Sequence, residues 1–412
     1  MRQLMPMKTE EQCSLDSAKP SGHTHSHAGV KPPWGKVVIA PDSFKGSLAA
    51  PAVAEAMRRG FCRVWPEAEY CLFPIADGGE GTVEALVNLS GGRLVEEDTL
   101  DPLGRPIRAA WGLLGDGRTA VVETAASSGL TRLTPEERNP ALASTFGLGQ
   151  MITHALARPE VERLLVGLGG SATNDGGAGM LTALGAEFLD EGGQAIPPGG
   201  LGLERLERIV ATGLNPRLRH VQVVVASDVT NPLCGPEGAS AVFGPQKGAD
   251  PALVRRLDLA LYRYAQKALE ATGRDMAQHP GAGAAGGLGA AFLFFTEADC
   301  RPGVQLILEE GDFLTKAAGA SLIVTGEGRS DCQTAWGKAP VGVAALGQKL
   351  GAPTVILSGS LGEGWQELYN HNIAALMSLS PGPMSLEDSM TNTPRLLEEA
   401  AERLARLLSI RW

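Results

Sequence analysis

Residues 161–185 constrain the fold more than any other part of the chain. This stretch begins with a short apolar run that ends at Leu168 and has the character of a buried strand. Further on, Met180 and Leu184 lie at helical spacing, and a glycine-rich turn joins the two patterns. A strand that enters a helix through such a turn places backbone N–H groups at the positive end of a helix dipole. The sequence therefore predicts an α/β fold with an anion-binding turn.

Polar side chains lie inside this turn, where packing alone does not require them. Neither the Walker pattern nor Gly-x-Gly-x-x-Gly can be read across it, so the turn matches no standard nucleotide motif. A tight turn in a buried α/β unit would also use glycines, and that alternative stays open. We assign phosphate or nucleotide binding to six residues of the turn: Gly169, Gly170, Ser171, Thr173, Asn174 and Gly176.

Composition narrows the class of protein. The 412 residues include 36 Lys and Arg against 46 Asp and Glu. The sequence contains no long basic run that could bind along a nucleic acid backbone. The longest apolar stretch, residues 288–295, is far shorter than the ~20 residues of a membrane span, and the N-terminus lacks a secretory apolar core. Six cysteines without metal-ligand spacing fit a reducing compartment. We predict a cytoplasmic monomer or homodimer that binds neither nucleic acid nor membrane.

Strand and helix patterns recur at both ends of the chain. A strand at 37–40, a helix that Ser47 can cap and a strand at 70–74 form a βαβ unit. Further short apolar runs lie at 321–325, 354–357 and 373–377, whereas residues 93–123 are β-rich.

These patterns predict an α/β protein with a discontinuous parallel-sheet domain. This Rossmann-like or flavodoxin-like domain comprises residues 35–76 and 284–412, and a second, mixed α/β domain is inserted at 77–283. Residues 1–34 are predicted to be a disordered tail. Its three alternating histidines could hold a metal, but a solvated tail is the favoured explanation. They are His23, His25 and His27.

Five turns of similar composition each follow a predicted strand. In an open parallel sheet, ligands bind beyond the carboxyl ends of the strands, so all five turns could face one cleft. Together they carry the cations and carboxylates that phosphoryl transfer requires, whereas no histidine lies in them to form a Ser-His-Asp triad. The five turns span residues 42–47, 77–81, 169–177, 228–231 and 326–331.

Structural alternatives remain for single residues of these turns. A carboxylate such as Asp228 can cap a helix or brace a turn. Arg329 can form a surface pair with Glu327 or Asp331. The residues around Lys247 can serve only to form a tight turn.

Nine motifs occur along the chain in a fixed order: APDSFKGSL, ADGGEGT, DPLGRP, ETAASSGL, GLGGSATNDGGAGM, ASDVTNPLCG, FGPQKGA, GAGAAGGLG and TGEGRSDCQTAWGKAP. Together they resemble the bacterial glycerate kinase family of the first type, from about Lys36 to the C-terminus. The resemblance implies a two-domain α/β protein that uses ATP and Mg²⁺. Its implied reaction is the phosphorylation of D-glycerate, usually at the 2-hydroxyl, to give 2-phosphoglycerate.

On this resemblance we divide polar residues of the turns, together with Lys338, among four roles. Lys45 neutralises the phosphoryl group in transit, and Asp77 or Asp175 accepts the hydroxyl proton. The remaining side chains are assigned to substrate, with Arg329 on its carboxylate, or to Mg²⁺. These are Ser43, Arg329 and Lys338 for substrate, and Asp228 and Glu327 for the metal.

Two other functions stay open at this point. One is a kinase or phosphatase for a different small hydroxy acid or sugar acid, or a kinase that forms 3-phosphoglycerate. The other is a non-catalytic sensor of a phosphorylated metabolite. Like-charged carboxylates beside the cationic turns argue against a pure anion binder.

Overall fold

The structure is a computed structural model and describes residues 35–76 and 78–410. Thirteen strands lie in this part of the chain: β1 (Lys36–Ile39), β2 (Glu69–Leu72), β3 (Arg93–Leu100), β4 (Pro106–Leu113), β5 (Thr119–Glu123), β6 (Arg163–Gly167), β7 (Glu187–Leu189), β8 (Arg208–Val210), β9 (Gln222–Ala226), β10 (Asp299–Arg301), β11 (Leu322–Glu327), β12 (Thr354–Ser358) and β13 (Ile373–Ser378).

The same part of the chain contains thirteen α-helices: α1 (Ala50–Cys62), α2 (Thr82–Ser90), α3 (Thr124–Ser128), α4 (Phe146–Leu156), α5 (Ala178–Ala183), α6 (Ala239–Phe243), α7 (Pro251–Thr272), α8 (Ala284–Phe295), α9 (Gly303–Glu310), α10 (Phe313–Lys316), α11 (Ala339–Leu350), α12 (Leu386–Thr391) and α13 (Thr393–Leu408). Among these residues, no helix is both long and apolar enough to span a membrane.

A five-stranded parallel sheet has the order β13-β12-β11-β1-β2. Its central strands β1 and β11 carry continuous apolar runs, residues 37–39 and 322–324, because both faces of the sheet are covered. In β1, Val37 and Ile39 pack into one buried cluster, whereas Val38 packs into another on the opposite face. The predicted combination of strands from both chain ends in one parallel sheet is therefore confirmed.

Helices cover this sheet on opposite faces. The cluster that contains Val37 also contains Met57 of α1 and Leu397 of α13. Val343 of α11 lies in the cluster on the other face. From the centre of the sheet, the chain thus leaves β1 toward one edge and leaves β11 toward the other. The loops after these two strands diverge at the carboxyl edge, and such a switch point forms a crevice in open α/β sheets.

A six-stranded mixed sheet has the order β10-β9-β6-β5-β4-β3, and a separate hairpin pairs β7 with β8. Strands β5, β6, β9 and β10 are parallel to one another, whereas β3, β4 and β5 pair antiparallel. The β-rich passage predicted at 93–123 is thus confirmed. The chain as described is a mixed α/β protein with one parallel and one mixed sheet.

The two large sheets share a buried cluster. Val121, Leu165 and Val224 of the mixed sheet belong to the same cluster as Val38 and Ile323 of the parallel sheet. Helices α2, α9 and α11 contribute to it as well. The space between the sheets is therefore filled by core side chains.

The predicted boundary at residue 284 does not coincide with a change of sheet. Helix α8 begins there, and its Leu288 and Phe292 pack into the core of the mixed sheet. Strand β10 then pairs with β9 of that sheet. Sheet membership thus changes only after Arg301, and the division into domains stays a prediction. The predicted tail at 1–34 lies outside the described residues.

Candidate functional site

A cleft of about 1090 Å³ lies at the carboxyl edge of the parallel sheet. The segments that follow β1, β11, β12 and β13 line it. Asp228, which follows β9 of the mixed sheet, contributes from the other sheet. The cleft thus occupies the switch-point crevice that the strand order creates.

The cleft contains three cations and several carboxylates within one space. Besides the residues that sequence reasoning assigned, it contains the carboxylate of Asp42. Because cations and acids are mixed there, the site suits a polyanionic ligand together with a divalent cation. The structure brings six predicted site residues to this cleft: Ser43, Lys45, Asp228, Glu327, Arg329 and Lys338.

Hydrogen bonds fasten the loop after β1 to the end of β11. The N–H of Asp42 donates to the carbonyl of Gly326 at 2.8 Å, and the N–H of Ser43 donates to the Asp42 carboxylate at 2.6 Å. Lys45 follows in the same loop. These bonds hold the loop of Lys45 beside Glu327, although the two residues are far apart in sequence.

Two hydroxyl groups fix the carboxylate of Glu327, the last residue of β11. Its Oε1 accepts hydrogen bonds from Ser330 Oγ at 2.9 Å and Thr334 Oγ1 at 2.7 Å. Burial raises the pKa of Glu327, whereas the two hydroxyl bonds and the charge of Lys338 lower it. Among the described residues, no hydrogen bond reaches Oε2. Since Glu327 lines the cleft, Oε2 is the oxygen that can serve a ligand or metal.

Arg329 and Lys338 both provide positive charge in the cleft. Arg329 is 65% exposed, and its Nε donates to Asp331 Oδ2 at 3.2 Å, so the expected surface pair exists beside the cleft. Lys338 immediately precedes the twelve-residue helix α11, whose first residue, Ala339, lines the cleft. The positive end of this helix dipole therefore adds to the charge of the two side chains.

The carboxylates of the cleft fit Mg²⁺ only as partial ligands. Asp228 Oδ1 accepts a hydrogen bond from the N–H of Gly303 at 2.9 Å, so part of its carboxylate is in use. The described residues contain no group of three or more His, Cys, Asp or Glu that could hold a metal. Mg²⁺ commonly binds one or two carboxylates together with substrate phosphates and water. Asp228 and Glu327 suit that mode.

Asp175 lies outside the cleft and is fully buried. Its carboxylate accepts hydrogen bonds from the N–H and hydroxyl of Thr145, at 2.8 and 2.9 Å, and from the N–H groups of Gly177 and Gly179, at 3.1 and 3.2 Å. Burial raises its pKa, and these donors lower it. Such contacts are those of a structural carboxylate at the start of α4 and α5. The catalytic role stays a prediction that this geometry does not favour.

Several backbone donors of the glycine-rich turn around Asp175 are satisfied by other protein groups. The N–H of Gly169 donates to Gly78 O, that of Gly176 to Gly286 O, and that of Thr173 to Ser171 Oγ. These donors are therefore already in use. None of the six residues predicted to bind phosphate lines the cleft, and this assignment too stays a prediction.

Close packing explains the glycines of this turn. A Cβ on Gly169 would lie 2.5 Å from Gly79 Cα, so only glycine fits there. Ser171 and Thr173 also approach a buried lysine, since Lys247 Nζ donates to Thr173 O at 2.7 Å. Burial lowers the pKa of Lys247 to about 7. The alternative of a structural turn thus accounts for the contacts seen here.

Sequence reasoning missed several residues around the cleft. Ser330 and Thr334 lie in the last quoted motif, but only the folded loop shows that both reach Glu327. Met384 and Leu386, which also line the cleft, belong to no quoted motif. Asp77, the other predicted proton acceptor, lies outside the described residues.

Comparisons with known proteins agree with one another. Residues 37–409 match the model of the glycerate kinase family. The chain is 47% identical over 375 residues to the glycerate kinase of Bacillus subtilis (strain 168), which covers 91% of this chain and 98% of the relative. It is 41% identical to the glycerate 2-kinase of Escherichia coli (strain K12), with coverage of 91% and 98%. A crystal structure assigned as glycerate kinase 2, from Salmonella typhimurium LT2, matches with a TM-score of 0.78 and 45% sequence identity, covering 90% of this chain and 98% of that one.

Proposed function

The chain belongs to the glycerate kinase family, and from that premise we propose that it transfers the γ-phosphoryl group of ATP to the 2-hydroxyl of D-glycerate. The products are 2-phosphoglycerate and ADP. The E. coli relative is named a glycerate 2-kinase, which supports the choice of hydroxyl. The sensor alternative loses support because the relatives cited above are named kinases.

One observation carries the proposal. Lys45, Arg329 and Lys338 line a single cleft with Asp228 and Glu327, at the switch point of an open parallel sheet. Phosphoryl transfer depends on positive charge around the moving group and on fixed positions for both substrates. This cleft supplies both within one space.

The residues of the cleft divide the work as follows. Lys45 neutralises charge on the phosphoryl group in transit. Arg329, with its planar guanidinium, binds the carboxylate of glycerate, and Ser43 and Lys338 complete the binding of the small substrate. Mg²⁺ supplies charge neutralisation on the phosphates when bound, and Asp228 and Glu327 are the residues that would hold it.

The proton of the attacking hydroxyl needs an acceptor. The Asp175 carboxylate is buried away from the cleft and accepts hydrogen bonds from backbone N–H groups. We therefore favour Asp77 of the two predicted carboxylates. A carboxylate in contact with the hydroxyl is sufficient for this step, because phosphoryl transfer demands little covalent chemistry from the protein.

Two coarser features complete the proposal. We propose that the parallel-sheet and mixed-sheet parts act as two domains, because Asp228 enters the cleft from the mixed-sheet part. We also propose a cytoplasmic location, where ATP is available as co-substrate.

A phosphorus NMR spectrum of the reaction mixture tests the reaction and its regiochemistry. With D-glycerate and MgATP, we expect the resonances of ADP and 2-phosphoglycerate to appear together. A 3-phosphoglycerate signal would overturn the choice of hydroxyl but not the kinase activity. If the wild-type protein produced neither ADP nor a phosphoglycerate, the proposed function would be wrong.

A further inference from the structure

The cleft has an apolar wall beside its charged residues. The wall consists of Leu379, Pro383, Met384, Leu386 and Met390, all of which line the cleft. Leu386 is 77% exposed, and Met384 and Met390 are each 36% exposed. Leu379 is buried and packs into the core cluster of α1 and α13, whereas Met384, Leu386 and Met390 belong to none of the core clusters of the described residues. Core packing therefore does not account for the exposure of these three side chains. A contiguous exposed apolar surface of this kind usually marks a binding site.

A hydrogen bond joins this apolar wall to the loop that carries Lys45. Ser47 Oγ donates to the carbonyl of Met390 at 2.7 Å, and the same oxygen lies 2.7 Å from Thr393 Oγ1. The bond therefore ties the wall to Ser47, which lies two residues along the chain from Lys45. The wall's spacing from the charged part of the cleft is set by the fold, and both parts belong to one continuous space.

The size and the two-part character of the cleft limit its ligand. Ligand pockets commonly measure about 300–1,000 Å³, so a cleft of about 1090 Å³ has room for more than one small acid. A hydroxy acid of three carbons is polar over nearly all its surface and gains nothing from leucine and methionine. A nucleotide joins a flat, weakly polar base to a chain of phosphates, and it matches both parts of the cleft.

We propose that the apolar wall binds the purine base of the nucleotide, while its phosphates extend toward Lys45 and Lys338. The inference rests on the proposed function, since it takes ATP as the nucleotide. Methionine thioethers make favourable contacts with aromatic rings and adapt their shape to them, which suits Met384 and Met390 to a purine. Leu386 covers one edge of the base.

Calorimetric binding of two probes, MgADP and Mg-pyrophosphate, tests the inference with the variant Leu386→Asp. A charged group in the wall should raise the Kd of ADP about tenfold, because loss of apolar contact is commonly worth that much. The affinity for pyrophosphate, which has no base, should stay unchanged. Leu259→Asp is the matched control, since Leu259 is 69% exposed on α7 and does not line the cleft.

Several results would overturn the inference. The first is an ADP affinity that Leu386→Asp and Leu386→Ala leave unchanged. The second is a loss of ADP affinity in Leu259→Asp equal to that in Leu386→Asp. The third is a loss of pyrophosphate affinity in Leu386→Asp equal to its loss of ADP affinity. Failure of the wild type to bind ADP would overturn it as well. If sedimentation showed that Leu386→Asp dissociates a dimer without affecting ADP binding, the wall would be an interface between copies of the chain.

The inference and the proposed function fail separately. Wild-type protein that makes phosphoglycerate, with ADP affinity insensitive to residue 386, refutes only the inference. Protein that binds ADP through Leu386 but forms no phosphoglycerate refutes only the proposed function.

Discussion

At the scale of single residues, the orientation of the Glu327 carboxylate depends on Thr334 and Ser330. Both hydroxyl groups are buried and both donate to Oε1. A carboxylate held in this way cannot rotate without losing two charge-assisted hydrogen bonds. Oε2 is thereby kept available to the cleft.

The variant Thr334→Val tests this arrangement. It keeps the shape of the side chain but removes one donor, and a hydrogen bond to a charged group contributes about 1.5–3 kcal/mol. We expect kcat to fall at least tenfold, with KM for D-glycerate little changed, and Thr334→Ser to restore most of the activity. Steady-state kinetics would measure both constants.

A matched control for this variant is Thr315→Val, on the exposed surface of α10. It should leave both constants unchanged. Wild-type kcat in Thr334→Val, or equal loss in Thr334→Ser, would contradict the positioning role.

The lowered pKa of Lys247 makes the free energy of unfolding depend on pH. Burial lowers its pKa to about 7, whereas an ordinary lysine titrates near about 10.4. Between these two pH values the unfolded chain binds more protons at this site than the folded protein does. The free energy of unfolding should therefore rise as the pH increases from about 7 to about 10.

Urea unfolding at these two pH values checks this prediction through the variant Lys247→Met. The substitution removes the titrating group, so the increase in stability with pH should be smaller than in the wild type. Lys349→Met, at an exposed position near the end of α11, should leave the increase unchanged. An identical pH dependence in Lys247→Met would exclude Lys247 as its source.

At the scale of elements, α1 and α13 approach each other closely at Gly60. A Cβ on Gly60 would lie 2.2 Å from the carbonyl oxygen of Glu398. Such a contact with backbone cannot be relieved by rotating a side chain, so the helices would have to move apart. The interface they share contains Phe61, Leu397 and Leu404.

The variant Gly60→Ala sets helix propensity against packing. Alanine is favoured over glycine in a helix by about 1 kcal/mol, but overpacking a well-packed interface costs about 1–3 kcal/mol. We expect a net loss of up to about 2 kcal/mol in the free energy of unfolding, measured by denaturant titration. Gly35→Ala, where the nearest atom would be 3.9 Å away, should have no such effect. A stabilised Gly60→Ala would show that the helices can separate freely.

The ends of elements also show where local rules give way to tertiary contacts. Ser47 is a favoured capping residue, and we expected it to cap the first helix. The helix begins at Ala50, its N-cap is Ala49, and Ser47 instead binds the carbonyl of Met390. The Ser47 hydroxyl thus forms a hydrogen bond to a residue distant in sequence instead of capping the helix, as its residue type predicted.

At the scale of the whole molecule, the two large sheets are joined by shared core side chains. Leu165 of β6 and Ile323 of β11 lie in one buried cluster, together with residues of α2 and α9. Loss of one sheet would expose apolar surface of the other. The described parts of the two sheets should therefore unfold in a single cooperative step.

Hydrogen exchange followed by mass spectrometry tests this cooperativity in urea. Peptides that contain β6 and β11 should lose protection with the same free energy and the same dependence on denaturant. A variant such as Phe73→Ala, within the shared cluster, should lower both by about 3–5 kcal/mol. Separate transitions for the two peptides would show that the sheets are independent units.

Much of the fold could be predicted from local pattern. The short apolar runs at 321–325, 354–357 and 373–377 correspond to strands β11, β12 and β13. Runs of this kind are detectable because strands of a covered parallel sheet are apolar over most of their length. The pairing of β10 with β9 was not predictable, because Asp299–Arg301 is short and polar and its place depends on the partner strand.

The site was only partly predictable, for a related reason. Residue types identified Lys45, Glu327 and Arg329 as candidates, and the structure places them in one cleft. The same types occur in the turn around Asp175, where the carboxylate serves helix ends instead. Residue type alone does not distinguish the two settings, because both use glycine, hydroxyl and carboxylate groups.

By itself, the sequence determined the kinds of element, the parallel sheet built from both chain ends, and the family, since these depend on local periodicity and on the order of motifs. Only the tertiary structure decided which turns meet. Strand β1 pairs with β11, and the Thr325 hydroxyl donates to the carbonyl of Ala40 across 285 residues. This pairing brings the loops of Lys45 and Glu327 together. Strand order depends on packing throughout the core, so no short stretch of sequence carries it.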